Sequence, residues 1–288
     1  MFNNIAKTFL LMFGLSSLFL SIGYYLSGPE GLIFAFIVAL IMNFISFFFS
    51  DKIVLNLYRA KPLDQHTYTG IHEDVAYLSK KMNMPKPKLW LVTSPVANAF
   101  ATGRGPGNAS IAVTTGILEI LNEEELRGVL AHELSHVKNR DILIGTIAAT
   151  LATAISYLAY MARYAAFWGS SNSNNERSNN PIGMLFIGMF APLAATLVQL
   201  GITRSREYQA DESGAYATRE PLALASALEK LEQNAKRNPT KTDMRYAPTS
   251  SLGIVKPFSG KSLLSLFSTH PPMRDRIKCL HELQQKIY

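Results

Sequence analysis

Four long apolar runs divide the chain, and most of its charged residues lie in the stretches between and after them. The first two runs cover residues 5–26 and 31–50, with Lys7 as their only charge. Each has about the 20 residues that a helix needs to cross ~30 Å of hydrocarbon. The Ser27–Glu30 segment between them contains Gly and Pro and is typical of a tight turn. The sequence therefore predicts a transmembrane helical hairpin.

The other two apolar runs, residues 142–168 and 182–202, are separated by a polar linker at 169–181. The linker is rich in Ser and Asn and has no residues from which to form a core. We expect a second transmembrane hairpin here, although a buried hairpin inside a soluble domain would give the same pattern. For the first run of the chain, a secretory signal peptide fits less well than a span, because a second span follows directly.

Lysine and arginine are distributed unevenly around these runs, and this bias predicts their orientation. The Ser27–Glu30 turn has no basic residue, and the 169–181 linker has only Arg177. The segments on the opposite side are basic and include Lys52, Arg59, Lys61, Lys138, Arg140, Arg204 and Arg206. We therefore expect both termini in the cytoplasm. There, residues 51–141 and 203–288 can build one catalytic domain.

Composition agrees with a membrane protein and argues against other classes. Hydrophobic residues make up 48% of the chain and charged residues only 17%. The net charge of +7 would suit nucleic acid, but no basic cluster or aromatic-interleaved stripe accompanies it, so nucleic acid is not an expected partner. The single cysteine, Cys279, excludes an intrachain disulfide and a thiolate metal cluster.

The strongest chemical signal is the segment from His132 through Glu133 to His136. On a helix, the two histidines lie one turn apart on one face and can hold one Zn²⁺, with Glu133 beside it as general base. A helix is well supported, because Asn122 and Glu125 match a capping box and an apolar stripe follows them. Zinc would activate a water molecule, and Glu133 would accept its proton.

A catalytic zinc takes three protein ligands and leaves one position open. The best candidate for the third ligand is Glu207, in a helical segment after the fourth apolar run. Asp211 lies one turn further on and can hydrogen-bond a ligand imidazole. An ordinary solvated helix start with arginine–carboxylate pairs would look the same, but the histidine motif favours the ligand role.

Together, these motifs resemble the HtpX family of membrane-bound zinc proteases, relatives of the CAAX prenyl proteases. The resemblance covers nearly the whole chain and is carried by His132–Asp141, Glu207–Asp211 and Ser268–Pro272. It implies a gluzincin-like catalytic domain with one Zn²⁺ per chain. It also implies a multi-pass protein of the bacterial inner (plasma) membrane that acts in protein quality control and the stress response.

The resemblance implies a late histidine near the site, and His270 is the candidate for a second catalytic residue. Alternatively, His270 caps a helix begun by the two prolines that follow it, with Arg274 and Arg276 on the surface of that helix. Asp141 begins the third apolar run, and we expect it to form an ion pair rather than take part in chemistry. Its candidate partners are Arg140, Arg204 and Arg206.

Residues Lys88–Thr93 and Ala109–Thr114 alternate in polarity enough to predict strands. In gluzincin-like proteins an edge strand pairs with the substrate backbone, and Asn98 and Ala99 resemble that position. A plain hairpin is an equal alternative. Residues 238–261, rich in Pro, Ser, Gly and Thr, fit either a flap over the cleft or a solvated loop.

The sequence thus predicts an α+β membrane protein, mainly α-helical, with a small β-sheet in its cytoplasmic zinc protease domain. Residues 1–50 and 142–202 form the two transmembrane hairpins, and residues 51–141 and 203–288 form the catalytic domain. The expected activity is endopeptidase cleavage of cytoplasmic segments of misfolded or damaged membrane proteins.

Three other functions are less well supported. An intramembrane protease would place the histidine motif inside a span, but charged residues flank it here. A scaffold or transporter with a structural zinc would close the site with four ligands. Processing of prenylated proteins needs a large intramembrane chamber, and four spans are too few to build one.

Overall fold

The computed structural model describes residues 2–143, 145, 147, 204–237 and 271–287. Its helices are α1 (Phe2–Leu57), α2 (Thr69–Lys81), α3 (Thr115–Ile120), α4 (Glu123–Lys138), α5 (Arg204–Thr218), α6 (Pro221–Arg237) and α7 (Met273–Ile287). Its strands are β1 (Lys61–Pro62), β2 (Lys88–Val92), β3 (Ala99–Gly103) and β4 (Ala109–Thr114). Most of the third apolar run, the 169–181 linker, the fourth run, residues 238–261 and His270 lie outside this description.

Helix α1 folds back on itself at Gly28, inside the segment where the sequence predicts a turn. Gly28 has φ +62°, in the left-handed region that glycine adopts without strain. The Asn43 Nδ2 donates to Ser16 Oγ at 2.7 Å, although the two residues are 27 apart in the chain. A straight helix would separate them by about 40 Å. The two apolar runs therefore pack side by side as a hairpin.

The second half of α1 exposes a continuous apolar surface. Gly28–Leu57 is 30 residues long, and among the described residues it is the one helix long and apolar enough to cross a membrane. Its large side chains point outward, with Phe34 71% and Leu40 61% exposed. A soluble protein rarely leaves so large an apolar patch uncovered, so this surface fits contact with lipid.

The four strands form a mixed sheet in the order β1-β2-β4-β3. β2 and β4, which confirm the two strands predicted from the sequence, pair in parallel, and β3 pairs antiparallel with β4. One sheet face packs with α2 and α4 in the main core. On the other face, Phe100 and Val92 pack against Val54 and Tyr58 at the end of α1. The sheet thus lies between the apolar hairpin and the helices that hold the site.

Helix α4 begins with the predicted capping box. Asn122 Oδ1 accepts from the Glu125 backbone N–H at 2.8 Å, and a Glu125 carboxylate oxygen accepts from the Asn122 N–H at 3.0 Å. This reciprocal pair satisfies two amide groups that a helix start leaves without a partner. Nearly every residue of the helix beyond it is buried. α4 is therefore the central helix of the domain.

Helices α5 and α6 pack closely on α4, and two glycines permit this approach. A Cβ at Gly214 of α5 would lie 3.1 Å from the His132 backbone nitrogen, and one at Gly128 of α4 would lie 3.1 Å from Leu224 of α6. Glycine at such crossings lets two backbones come closer than side chains allow. The close approach at Gly214 places α5 against the turn of α4 that carries His132.

Candidate metal centre

Helix α4 presents His132 and His136 toward the same point. Their Nε2 atoms are 3.2 Å apart, and the two rings are perpendicular. Glu207, from the first turn of α5, places Oε1 3.4 Å from the His136 Nε2 and Oε2 3.7 Å from the His132 Nε2. One donor atom from each of the three residues lies within 4.8 Å of the others. The structure therefore brings together the three residues that the sequence proposes as ligands.

On each histidine a carboxylate contacts Nδ1, the ring nitrogen that does not face the other histidine. His132 Nδ1 lies 2.8 Å from Asp211 Oδ1, and His136 Nδ1 lies 3.1 Å from Asp141 Oδ2. A carboxylate accepts hydrogen bonds, so these contacts assign a proton to each Nδ1 in the neutral tautomer. The Nε2 lone pairs of both rings then face each other and the Glu207 carboxylate.

The donor set fits a divalent cation. Two imidazole lone pairs and a carboxylate converge at a buried point, which is unfavourable unless a positive charge lies between them. Tetrahedral Zn–N bonds of about 2.0–2.1 Å would put two nitrogens about 3.3 Å apart, close to the 3.2 Å found here. The carboxylates on the Nδ1 atoms are the partners that metal-bound histidines usually have.

The pKa values of the two histidines are shifted in opposite directions. Burial lowers the pKa of His132, and the charge of Arg276 lowers it further, although Asp211 opposes both. Burial also disfavours charge on His136, but hydrogen bonds to Asp141 and Glu207 outweigh it and raise its pKa to about 10. A proton shared between His136 and Glu207 occupies the same point as the cation, so metal binding would replace it.

Glu133 lies on α4 between the two histidines and faces β3. It is 3% exposed, and its carboxylate accepts a hydrogen bond from the Ala101 backbone. Burial raises the pKa of Glu133 to about 8, with repulsion from Glu207 acting in the same direction and His136 opposing it. A carboxyl with a pKa near neutrality can both accept and deliver a proton.

Arg276 corrects a prediction made from the sequence. The alternative in which His270 caps the last helix placed Arg276 on the surface of that helix, but its side chain is fully buried in the structure. Arg276 Nε and Nη2 bind the two oxygens of Asp211 at 2.7 and 2.6 Å, and Nη1 lies 3.5 Å from Glu207 Oε2. The arginine lies three residues after Met273 and four before the buried Leu280, so helical spacing puts it on the apolar face.

Asp211 and Arg276 form a buried pair that orients His132. Burial raises the pKa of Asp211, but the charge and hydrogen bonds of Arg276, together with His132, outweigh this and hold it below its usual range. Asp211 is therefore ionised, and its Oδ1 receives both Arg276 Nη2 and His132 Nδ1. Helix α7 is thus connected to a candidate ligand through one carboxylate.

Asp141 contacts both an arginine and a histidine of the site. Its Oδ1 lies 3.7 Å from Arg206 Nε, which agrees with the predicted ion pair, and its Oδ2 lies 3.1 Å from His136 Nδ1. The contact with His136 was not predicted from the sequence. The position of Asp141 could have indicated this contact. Asp141 lies five residues after His136, just past the end of α4, where a chain reversal can return a side chain to the last helical turn.

Asn98 and Ala99 lie where β3 begins, at the edge of the sheet. β3 lies at the edge of the sheet and forms a hairpin with β4, and its pairing with a substrate stays a prediction. Asn98 Oδ1 accepts from the Ala99 backbone N–H at 3.0 Å. His270, the remaining candidate, lies outside the described residues.

A buried set of two histidines and a glutamate, with a further glutamate beside an edge strand, is the arrangement of a metal-dependent peptidase. Comparison with known proteins identifies the family within that class. The profile of Peptidase family M48 matches residues 65–284, and the chain belongs to this family.

Several curated relatives match almost the whole chain. A protein described as Protease HtpX homolog from Sulfurihydrogenibium sp. is 50% identical over 99% of this chain and 97% of its own length. Proteins of the same description from Persephonella marina and Aquifex aeolicus are each 47% identical, over 98% and 94% of this chain and 98% and 90% of their own lengths. The chain is therefore a metalloprotease of the HtpX type.

A solved structure shares the fold. The crystal structure of Ste24p from S. mikatae superposes with a TM-score of 0.51 at 18% identity. The match covers 97% of this chain but 66% of that one, so this chain spans slightly less than two thirds of its length. At this identity the likeness shows the architecture alone.

Proposed function

We propose that this chain is a zinc-dependent endopeptidase of the bacterial inner membrane that cleaves cytoplasmic segments of misfolded or damaged membrane proteins. The observation that carries the proposal is the convergence of His132, His136 and Glu207 on one buried point, with Glu133 beside it. Membership of an M48 metalloprotease family supports the same reaction.

In this proposal His132, His136 and Glu207 hold one Zn²⁺. The bound ion supplies Lewis acidity, which polarises the scissile carbonyl and makes a water molecule more acidic. Glu133 accepts the proton of the attacking water and delivers it to the leaving amine. Asp211 and Asp141 keep the Nδ1 protons of the histidines in place, so that both Nε2 lone pairs stay directed at the metal.

Strand β3 is proposed to hold the substrate in extended form. The Thr114 N–H donates to the Asn98 carbonyl at 3.0 Å, so backbone groups of alternate residues from Asn98 face β4. Those of Ala99 and Ala101 face the edge of the sheet away from β4, where the Ala101 backbone binds Glu133. A substrate strand added there would lie beside the general base and be held by main-chain hydrogen bonds, which tolerate many sequences.

Asn98 and His270 complete the proposed site. The Asn98 side chain binds the edge-facing N–H of Ala99, so it lies where an added strand would begin. For His270 the support is its place in the chain, since α7 begins at Met273 and its Arg276 reaches the candidate ligands. His270 lies three residues before Met273 in the chain and is proposed to assist the reaction at the metal centre.

The membrane part of the proposal rests on α1. Its apolar surface fits lipid, and its cytoplasmic end packs against Phe100 of β3, with the Tyr58 and Phe100 ring centroids 4.8 Å apart. This contact supports a catalytic cleft close to the point where α1 would leave the bilayer. Residues 1–50 and 142–202 are proposed as two transmembrane hairpins that leave the catalytic domain and both termini in the cytoplasm.

The mechanism is tested by Glu133→Ala. We expect this variant to retain zinc and to lose cleavage of a membrane or unfolded protein substrate by about 10²–10⁴-fold, the usual contribution of a general base. Zinc content and initial rates are measured on purified protein, with Glu123→Ala, an exposed glutamate of the same helix, as matched control. Cleavage by Glu133→Ala at the wild-type rate would show that the assigned mechanism is wrong.

The topology is tested by labelling single cysteines in a Cys279→Ser background. Ser173→Cys lies in the linker and Glu73→Cys is exposed on α2. A membrane-impermeant maleimide applied to spheroplasts is expected to label the linker cysteine, whereas the α2 cysteine should react only after lysis. Labelling of the α2 position in intact spheroplasts would place the catalytic domain on the wrong side.

A further inference from the structure

Three cations lie where the apolar surface of α1 ends. The exposed apolar side chains of α1 continue to Phe48 and Phe49, 42% and 41% exposed, and charged residues follow immediately. Lys52, Arg104 and Arg140 are near this level, and we name them the boundary cations. They come from three separate parts of the chain, namely the end of α1, the β3–β4 turn and the end of α4.

Arg104 lies directly on the aromatic rings of α1. Its guanidinium is 5.3 Å from the ring centroid of Phe48 and 5.9 Å from that of Phe47. Lys52 lies 5.6 Å over the Phe49 ring in the same way. Long basic side chains in this setting extend along apolar surface and keep the charged group at the headgroup level.

Arg140 adjoins Arg104 through the β3–β4 turn. A Cβ at Gly105, the residue after Arg104, would lie 3.8 Å from Arg140 Cγ. Three residues past Arg140 the chain reaches Leu143, which packs together with Ile147 against Met42 and Phe47 of the apolar hairpin. Arg140 therefore lies beside the turn that holds Arg104, close to the apolar hairpin.

Arg140 also occupies a backbone position that normally takes another residue. It follows the C-cap of α4 with φ +59°, where glycine or asparagine is usual. A non-glycine residue is sterically disfavoured in the left-handed region. An arginine side chain at this place, despite that cost, is consistent with a use for its charge.

The boundary cations lack protein counter-charges in the described part of the chain. None of the three forms an ion pair within 4.0 Å there. Asp51, which precedes Lys52 in the chain, does not pair with it either. Asp141, next to Arg140, is engaged with His136 and Arg206. Unneutralised guanidinium and ammonium groups at headgroup level match the phosphates of anionic lipids.

We propose that Lys52, Arg104 and Arg140 bind the phosphate of an anionic phospholipid headgroup and so fix the cleft at the membrane surface. Arg104 directly follows β3, and Arg140 lies four residues after His136. A bound lipid thus contacts both sides of the proposed cleft, the edge strand and the metal-binding helix. This inference rests on the membrane location in the proposed function.

The test measures which lipid stays bound. The full chain with its metal is reconstituted in vesicles of phosphatidylcholine and phosphatidylglycerol in equal amounts and extracted in mild detergent. Native mass spectrometry then counts the lipids that remain. We expect phosphatidylglycerol to be retained over phosphatidylcholine, and Arg104→Gln/Arg140→Gln to lose it by roughly 25-fold in affinity, since each cation near an anionic surface contributes about fivefold.

A charge-matched control is Lys80→Gln/Lys81→Gln. These exposed lysines end α2, on the sheet face away from α1, and their loss should leave retention unchanged. Arg104→Lys/Arg140→Lys should retain most binding, which separates charge from folding. Equal retention of both lipids by the wild-type chain, or equal loss in the control, would overturn the proposal whether or not the variants fold.

Two further arms separate this inference from other outcomes. Inorganic phosphate at the same ionic strength as a chloride control should not displace the lipid, and displacement would identify a free-anion site and overturn the proposal. Peptide cleavage and zinc content are measured in detergent on the same samples. Lipid retention without peptidase activity would contradict the proposed function alone, and activity without selective retention would contradict this inference alone.

Discussion

Arg276 pairs with the buried carboxylate of Asp211 and lies 3.5 Å from that of Glu207 in the metal centre. All three side chains are almost completely buried. A buried ion pair gains little over an apolar pair of the same shape, but the loss of one partner leaves a charge that water cannot solvate. The sequence revealed Asp211 through its spacing from Glu207, whereas nothing in the spacing of the chain linked Arg276 to either residue.

We predict that Arg276→Met destabilises the folded protein. The variant should lose about 3–5 kcal/mol in free energy of unfolding, because Asp211 becomes an uncompensated buried charge. Denaturant unfolding of the detergent-purified protein measures the loss. Arg274→Met removes an exposed arginine of the same helix and should change stability by less than about 0.5 kcal/mol. Equal effects of the two substitutions would refute the assigned role of Arg276.

The contact between α4 and α6 depends on Glu125, which does more than cap a helix. Its carboxylate accepts from Ser226 Oγ at 2.6 Å and from Lys230 Nζ at 2.7 Å, in addition to the Asn122 N–H. The capping box was visible in the sequence because its two members are three residues apart. The partners on α6 were not, since a side chain's tertiary contacts depend on how helices cross.

This contact predicts a pH dependence of stability. Burial raises the pKa of Glu125, but hydrogen bonds from Lys230, Ser226 and Asn122 outweigh it, and the folded pKa is below the ordinary value. The stabilisation is therefore complete above the unfolded pKa of about 4.3 and is lost as the pH falls through the folded pKa.

The measurement is the difference in free energy of unfolding between the wild type and Glu125→Gln. We expect about 1–3 kcal/mol at neutral pH, the usual range for hydrogen bonds to a charged group. That difference should shrink as the pH falls below about 4.3. Glu123→Gln, at an exposed position of the same first turn, serves as control. A difference that stays constant with pH would show that the charge of Glu125 does not contribute.

For the whole molecule, the sequence predicted much of the arrangement around the site. The apolar periodicity and capping signal located α4, and the turn at Ser27–Glu30 located the reversal in α1. The sheet order could not be predicted, because the parallel pairing of β2 with β4 depends on β3 crossing to the far edge. The approach of Asp141 and Arg276 to the histidines depends on the packing of α5 and α7, which local patterns do not encode.

The proposed activity requires that α4 and α5, which are distant in the chain, hold one cation between His132, His136 and Glu207. Zinc K-edge X-ray absorption of the purified protein tests this most directly. We expect one zinc per chain with two imidazoles and oxygen donors at about 2.0–2.1 Å, and no sulfur. A sulfur ligand, which only Cys279 or a methionine could supply, or fewer than two imidazoles, would contradict the account.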